Sequence, residues 1–253
     1  MPPRAQPREP LTRGAFAVVD APGGWASIRH VASGEIMHPA APPDAEADAV
    51  YVGSSRVLAT ATAARPLVVW DVGLGAGHNA MALLRWQAAH ADAPHLELHS
   101  FEHDLDALRL ALAHPKRFPH LRHEAPHRLL AQGGVDLPHL RWVLHGDFFA
   151  AIGAAPAPDL VFYDPFSTKV DGAMWTRAAF AQVAAALTRP AELLTYTAST
   201  AVRTSMLLAG LTVGAGVPSG PKPETTFALA HPDATLLGER SLLGAAWLAR
   251  RAR

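Results

Sequence analysis

Asp71-Val-Gly73-Leu-Gly75-Ala-Gly77-His78-Asn79 is the segment of this chain best equipped to hold a ligand. It follows the apolar run Leu67-Val-Val-Trp-Asp-Val and opens a helical pattern, so its glycines fall where a strand turns into a helix. Glycine lets the backbone pass close to a ligand, and a helix N-terminus favours an anionic group. A dinucleotide loop needs a third glycine or alanine five residues after the first, for close packing of helix on strand. Counted from Gly73, that position is His78. The plain alternative is a glycine-rich turn that holds nothing. Glu102 follows the next expected strand, where a carboxylate can accept both hydroxyl hydrogens of a ribose; this supports a nucleoside ligand without choosing one. Gly146-Asp147 ends the strand after that. Its aspartate can accept from an adenine amino group, or simply cap a turn or helix. A further expected strand delivers Asp159-Leu-Val-Phe-Tyr163-Asp164-Pro-Phe-Ser167.

The elements that must position these residues follow from hydrophobic pattern. Leu67 to Val72 is a continuous apolar run, expected of a strand buried on both faces. Gly77 to His90 reads as a helix with Met81, Leu84 and Ala88 on one face. Strands are expected at His95 to Phe101, Leu140 to His145, Asp159 to Tyr163, Glu192 to Tyr196, Leu211 to Gly214 and Thr225 to Ala230. Helices are expected at Asp104 to His114 with Asp104 as cap, Pro126 to Gln132, Asp171 to Leu187, and Ser199 to Ala209 ending at Gly210. Gly238 to Arg253 reads as a terminal helix. The βαβαβ order with short connections predicts an α/β, doubly wound, Rossmann-like sheet. Before it, residues 1–13 form a proline-rich flexible arm. Residues 14–65 form a small β/loop extension, with a hairpin around Pro22-Gly23-Gly24 and a loop over residues 39–48 leading to Tyr51.

Composition excludes several function classes. The chain has 253 residues, 49% of them hydrophobic, with 22 lysines plus arginines against 22 acids. Zero formal charge rules out a strongly basic nucleic-acid coat, though not a local patch. Without cysteine there are no disulfides, thiolate metal sites or cysteine nucleophiles. The start lacks an apolar run and the longest apolar stretch is broken by glycines, so a cytoplasmic protein outside membranes is expected. Fourteen histidines invite a metal reading, and His123-Glu124-Ala-Pro126-His127 even spells H-E-x-x-H. That motif needs a continuous helix, and Pro126 leaves His123 outside it, so no metal is expected. A G-x-S-x-G elbow is missing, which leaves a hydrolase triad without support.

The G-x-G-x-G spacing, with an acid two residues before it, resembles the first motif of S-adenosylmethionine-dependent methyltransferases. In that reading Asp71, Gly73, Gly75, Gly77, Asn79, Glu102 and Asp147 hold the cofactor, and the helix N-terminus faces its methionine carboxylate. Further stretches narrow the likeness: Ser100-Phe-Glu102, Asp164-Pro-Phe166 with Trp175, Thr195-Tyr-Thr-Ala-Ser-Thr-Ala-Val-Arg203, Ala209-Gly210 and Gly220-Pro-Lys222. Over roughly residues 30 to 230 the chain resembles the methyltransferase half of the bifunctional tRNA enzyme that completes 5-methylaminomethyl-2-thiouridine at the wobble position. With no room for the FAD-dependent oxidase module, it resembles the stand-alone form. The resemblance implies a seven-stranded class I methyltransferase fold over residues 66–253.

It also implies transfer of a methyl group from S-adenosylmethionine to the aminomethyl nitrogen of 5-aminomethyl-(2-thio)uridine in tRNA. A further enzyme must then supply the aminomethyl precursor. Catalysis of such an in-line displacement is mostly alignment. Asp164 is the expected acceptor that orients the amine, and a nearby carboxylate also favours the unreactive ammonium form. Phe166 or Trp175 can stack on the pyrimidine, with helix packing the alternative for Trp175. Lys169, Arg177, Arg203 and Lys222 are expected near one rim as phosphate contacts, with solvated surface charge the alternative for each. Three other functions stay open: a methyltransferase for a small amine or other nucleophile, a non-catalytic interaction module on this fold, and a Rossmann dehydrogenase.

Overall fold

The computed structural model describes residues 11–38, 41–244, 247 and 249. Most of the arm expected at residues 1–13 lies outside the described residues. Of the terminal helix expected at 238–253, residues 238–244 are not helical, with Leu242 bridging to Gly214, and residues 245, 246, 248 and 250–253 lie outside the described residues. A three-stranded antiparallel sheet opens the described chain, with β1 at Thr12–Arg13, β2 at Phe16–Asp20 and β3 at Ala26–His30. The Pro22-Gly23-Gly24 turn joins β2 to β3, pairing Phe16 with His30. Phe16, Val18 and Ile28 join the same apolar cluster as Leu67 and Val69 of the main sheet.

Residues 43–52 correct the loop expected over residues 39–48. Helix α1, Pro43–Glu46, runs into a π-helical turn, Ala47–Val52, and α2 follows at Arg56–Thr60. Pro42-Pro43 reads as a loop signal, yet proline fits the first turn of a helix, and the alanines that follow extend it.

The main sheet begins with β4, Leu67–Val72, followed by α3 at His78–Ala89 and β5 at Leu96–Phe101. Helices α4, Asp106–Ala113, and α5, Glu124–Gln132, lead to the hairpin of β6, Gly134–Leu137, and β7, Leu140–His145. After α6, Phe148–Ala151, come β8 at Leu160–Tyr163, α7 at Arg177–Ala186 and β9 at Ala191–Thr195. Helix α8, Thr200–Leu208, β10, Thr212–Ala215, β11, Thr226–Ala230, and α9, Ala234–Leu237, complete the order. The sheet order is β10-β11-β9-β8-β4-β5-β7-β6, with the five strands from β9 to β7 parallel and the three outer ones antiparallel. It holds eight strands where seven are expected. The added edge strand β6 hides in Gly133-Gly134-Val-Asp-Leu-Pro138, whose glycines and proline read as a turn.

All six residues of β4 are buried, and alternate side chains enter the two opposite core layers. Leu67 and Val69 pack towards α3 and α4, while Val68, Trp70 and Val72 pack towards α7 and α8. That double burial explains the unbroken apolar run. Among the parallel strands the order reverses between β4 and β8, so the loops at their carboxyl ends splay apart and leave a crevice. Register makes the crevice sharp: Val72 pairs with Phe101 and Tyr163, and Phe101 with His145. Gly73, Glu102, Gly146 and Asp164 therefore leave the sheet at one level.

The long helix expected at 171–187 is broken. Gly172–Trp175 forms a 3-10 turn, and the Thr176 hydroxyl, accepting from Ala179 N at 3.1 Å, caps a fresh helix. In the H-E-x-x-H stretch, His123 lies outside α5 and caps it, accepting from Ala125 N at 3.0 Å. Among the described residues no helix is long and apolar enough to cross a membrane.

Arg203 corrects an expectation. It is 1% exposed and bonds to the Thr226 hydroxyl at 2.8 Å, the Thr225 carbonyl at 2.7 Å and the Glu224 carboxylate at 2.6 Å. It locks α8 to the start of β11 and is not a rim contact for phosphate. Arg203→Met is expected to lower stability by about 2 kcal/mol, because it strands a buried carbonyl and hydroxyl. Thermal unfolding reads that loss, and substrate KM of the folded variant is expected to stay at its wild-type value.

Candidate active site

The crevice at the carboxyl ends of β4, β5, β7 and β8 opens into a cavity of about 750 Å³. Its floor is the glycine loop. Gly73, Gly75 and Gly77 take φ of +87°, +50° and +79°, a backbone path that side chains resist. Gly73 and Gly75 line the cavity. Gly77 instead starts α3, with its α-carbon packed towards Leu121 and Leu108.

Glu102 sits on the wall and ties the loop down. Its Oε2 accepts from Gly75 N and its Oε1 from Asp104 N, both at 3.1 Å. Each oxygen keeps a lone pair for a further donor, while burial raises its carboxyl pKa. Asp147 stands exposed on the rim, and its Oδ1 caps α6 by accepting from Ala150 N at 2.9 Å. Asp71 does not reach the cavity. It is 1% exposed beneath the loop and accepts from the Ser100 hydroxyl at 2.8 Å, with its other oxygen unpartnered. Burial pushes its pKa up to about 7.

Asp164 is the centre of the site. It leaves β8 directly beside Gly73, and its Oδ2 accepts from the Asn79 amide at 2.7 Å. Asn79, expected on the cofactor, thus serves Asp164 first. The buried Tyr51 hydroxyl lies within electrostatic reach of the same carboxylate, but finds no partner at hydrogen-bond geometry. Burial pushes the Asp164 pKa up to about 6, against the opposing pull of His38 and Asn79.

The loop after Asp164 is held from two sides. Ser167 donates to Glu35 through its backbone N–H at 2.9 Å and its hydroxyl at 2.6 Å. Trp175 is 5% exposed and donates from its indole to the Phe166 carbonyl at 2.7 Å, with its ring edge-on to Tyr163 and Tyr196. Trp175 therefore props the loop and does not line the cavity. Phe166 does line it, stacked on Phe16 at 6.2 Å and beside His30 at 5.7 Å. Lys222 is on the wall, its ammonium 4.7 Å above the Tyr196 ring. Lys169 is exposed outside the lining, and Arg177 is exposed at the start of α7.

Sequence reasoning missed the contribution of residues 35–46. Glu35, Met37, His38 and Glu46 all line the cavity. Met37 lies over the loop, with its sulfur and methyl 3.4 Å from where a side chain on Gly75 would begin. His38 Nδ1 donates to Glu46 Oε2 at 2.8 Å, and the Ser219 hydroxyl donates to Glu46 Oε1 at 2.6 Å. No local motif marks these residues; only the hairpin before them signalled structure.

Asp44, His78 and His120 bring a carboxylate oxygen and two imidazole nitrogens within 4.8 Å of one another. The two rings stack at 3.7 Å with planes only 26° apart, so their in-plane lone pairs do not converge as a tetrahedral ion requires. One nitrogen of each ring is already engaged, His78 with Asp44 and His120 with the Ala76 carbonyl. The cluster reads as packing.

Residues 136–231 match the model of a family described as S-adenosyl-L-methionine-dependent methyltransferase. The fold is similar to the crystal structure of MNMC2 from Aquifex aeolicus, with TM-score 0.73 and 20% identity, covering 96% of this chain and 78% of that one. Spermidine synthase from Thermotoga maritima gives TM-score 0.48 at 14% identity, covering 85% of this chain and 68% of that one. The N-methyltransferase NodS from Bradyrhizobium japonicum gives 0.41 at 15%, covering 70% and 90%. No curated protein matches. The architecture is the class I methyltransferase fold, and the cofactor of the matched family is S-adenosylmethionine.

Proposed function

We propose that this methyltransferase methylates a primary amine, the aminomethyl group of 5-aminomethyl-(2-thio)uridine at the wobble position of tRNA. The observation that carries the amine is the charge of the cavity. Glu35, Glu46, Glu102, Asp104, Asp147, Asp164 and Asp171 line it, against Lys222 as its lysine. Such walls attract a cation and repel a phosphate. The tRNA substrate is supported by the ordered motifs shared with the wobble-uridine methyltransferases, from Asp71 to Lys222.

The cavity suits S-adenosylmethionine. Positive-φ glycines leave open space for a ligand beside the start of α3, where the helix N-terminus favours an anionic group, and the remaining lone pairs of Glu102 suit ribose hydroxyls. Asp147 keeps one oxygen for an adenine amino group. We assign Gly73, Gly75, Glu102 and Asp147 to direct cofactor contact, and Asp71, Gly77 and Asn79 to shaping the loop and its neighbours. When bound, the cofactor supplies an electrophilic methyl group. Asp164 accepts an N–H of the amine and orients its lone pair, while Asn79 fixes the carboxylate plane. Phe166, backed by Phe16 and His30, offers a face for a base. Lys222 on the wall and Lys169 beside it are the substrate cations, and Trp175 acts through Phe166.

A small amine is the second reading, favoured by the removal of Arg203 from the rim and by the acidic walls. Incubation with methyl-labelled S-adenosylmethionine and bulk tRNA from cells lacking this protein separates the two. Label in methylaminomethyluridine after digestion is the expected result. Label only in added small amines would move the substrate, and no transfer to any amine would overturn the reading.

A further inference from the structure

His38 occupies a position that its backbone does not favour. Its φ is +52°, uncommon for a residue with a side chain. The surroundings impose it: the Trp25 indole donates to the His38 carbonyl at 3.1 Å, and Met37 N donates to the Ile28 carbonyl at 2.9 Å. The Ser27 hydroxyl also bonds to the Met37 carbonyl. The hairpin thus drives one imidazole into the cavity wall, where Glu46 receives its Nδ1–H at 2.8 Å. Glu46 is itself fixed by Ser219. An outlier so tightly imposed points to a role for the side chain it places.

We propose that His38 is a positioning residue, whose imidazolium, held by Glu46, keeps Asp164, in the lining of the same cavity, ionised and offsets that carboxylate's pull towards a protonated amine. The inference rests on the amine-methylation reading and resolves a conflict within it. A lone carboxylate beside an amine favours the ammonium form, which has no lone pair to attack with. A cation on the other side of Asp164 spreads the carboxylate's charge over two partners and lowers the amine's affinity for its proton.

The charges around the pair fit this role. From α1, Glu46 and Asp44 face His38, and Asp164 faces it across the cavity; together they raise its pKa although burial opposes its charge. From α3, His78 meets it edge-on at 5.5 Å, held down to about 3 by burial and so uncharged, as is the half-enclosed His120 behind it. Lys222 lies near Glu46 and competes for its charge. Asp71 and the hydroxyls of Tyr51 and Tyr196 also feel the Asp164 charge, and none of them is a cation. Around Asp164, burial and the Glu46 charge disfavour its ionised form, while His38 and the Asn79 amide favour it.

His38→Asn tests this, because asparagine tolerates positive φ and can still bond to Glu46. Carbon-13 NMR of carboxyl-labelled, cofactor-free protein follows Asp164 directly, with Asp164→Asn identifying its signal. In His38→Asn the Asp164 midpoint is expected to rise by about 1 pH unit, the order of effect of removing a nearby opposite charge. The acidic limb of the kcat/KM profile for amine methylation is expected to move up with it, while calorimetry shows unchanged cofactor affinity. A midpoint that stays at its wild-type value would overturn the role, and so would an acidic limb that does not move. If wild-type protein methylates no amine, the proposed function fails, and the NMR midpoint still decides whether His38 governs Asp164.

Discussion

Asp164→Asn is expected to cut kcat for methyl transfer by about 10²- to 10⁴-fold, the range for losing a positioned proton acceptor. The change is nearly isosteric. Asn79 has an unpartnered carbonyl oxygen facing this region, so its amide can turn to accept from the new side chain. Cofactor affinity is expected to hold, because Asp164 acts at the amine end of the cavity; calorimetry checks this. In wild type, transfer is expected to fall as pH drops through about 6, where Asp164 takes up its proton. The stability effect has the opposite sense. Asp164 binds its proton more tightly folded than unfolded, so ionising it costs stability as pH rises from about 4 through its folded pKa. At pH 8 the variant is therefore expected to be about 1–3 kcal/mol more stable than wild type. A variant that transfers methyl groups at the wild-type rate would remove Asp164 from the chemistry. One that melts at lower temperature at pH 8 would show that its charge is fully compensated.

The second large effect is structural. Gly73→Ala is expected to lower stability by about 2–5 kcal/mol, combining positive-φ strain with overpacking. A Cβ at Gly73 would lie 2.6 Å from the Asp164 carbonyl oxygen and 2.8 Å from its carbon. Neither strand end can easily yield, since Asp164 N donates to the Val72 carbonyl at 2.9 Å and Gly73 N to the Phe101 carbonyl at 3.0 Å. The melting temperature should drop by roughly 5–15 °C for a chain of this size. Because the clash moves the Asp164 backbone, both cofactor binding and transfer are expected to fail. Gly75→Ala makes the control: its Cβ meets the flexible end of Met37 at 3.4 Å and the Gly73 carbonyl oxygen at an ordinary 3.9 Å, so a smaller loss is expected. Equal melting temperatures for Gly73→Ala and wild type would contradict this account of the loop.

The strand-to-helix turn at Asp71–Asn79 was legible because local rules govern it. An apolar run bounded by glycines, then a helical period, leaves few other structures open. Glu102, Asp147 and Asp164 followed from the same logic, since each ends an expected parallel strand, and register then brings them to one level. Boundaries were less legible. Thr176 breaks the alanine-rich helix by capping a new one, and Gly133-Gly134 opens a strand where turns are expected.

By itself, then, the sequence determined the α/β alternation, the glycine loop and the carboxylates at the strand ends, because each depends on neighbours a few residues away. Tertiary structure decided which side chains surround Asp164. Glu35 meets Ser167 and Glu46 meets Ser219 across more than a hundred residues, and a polar residue's type does not name its distant partner. It also decided that Arg203 and Trp175 turn inward. Arginine and tryptophan suit a rim as well as a core, and only the neighbours assembled by folding, Glu224 and Thr226 for one and the Phe166 carbonyl for the other, make burial favourable.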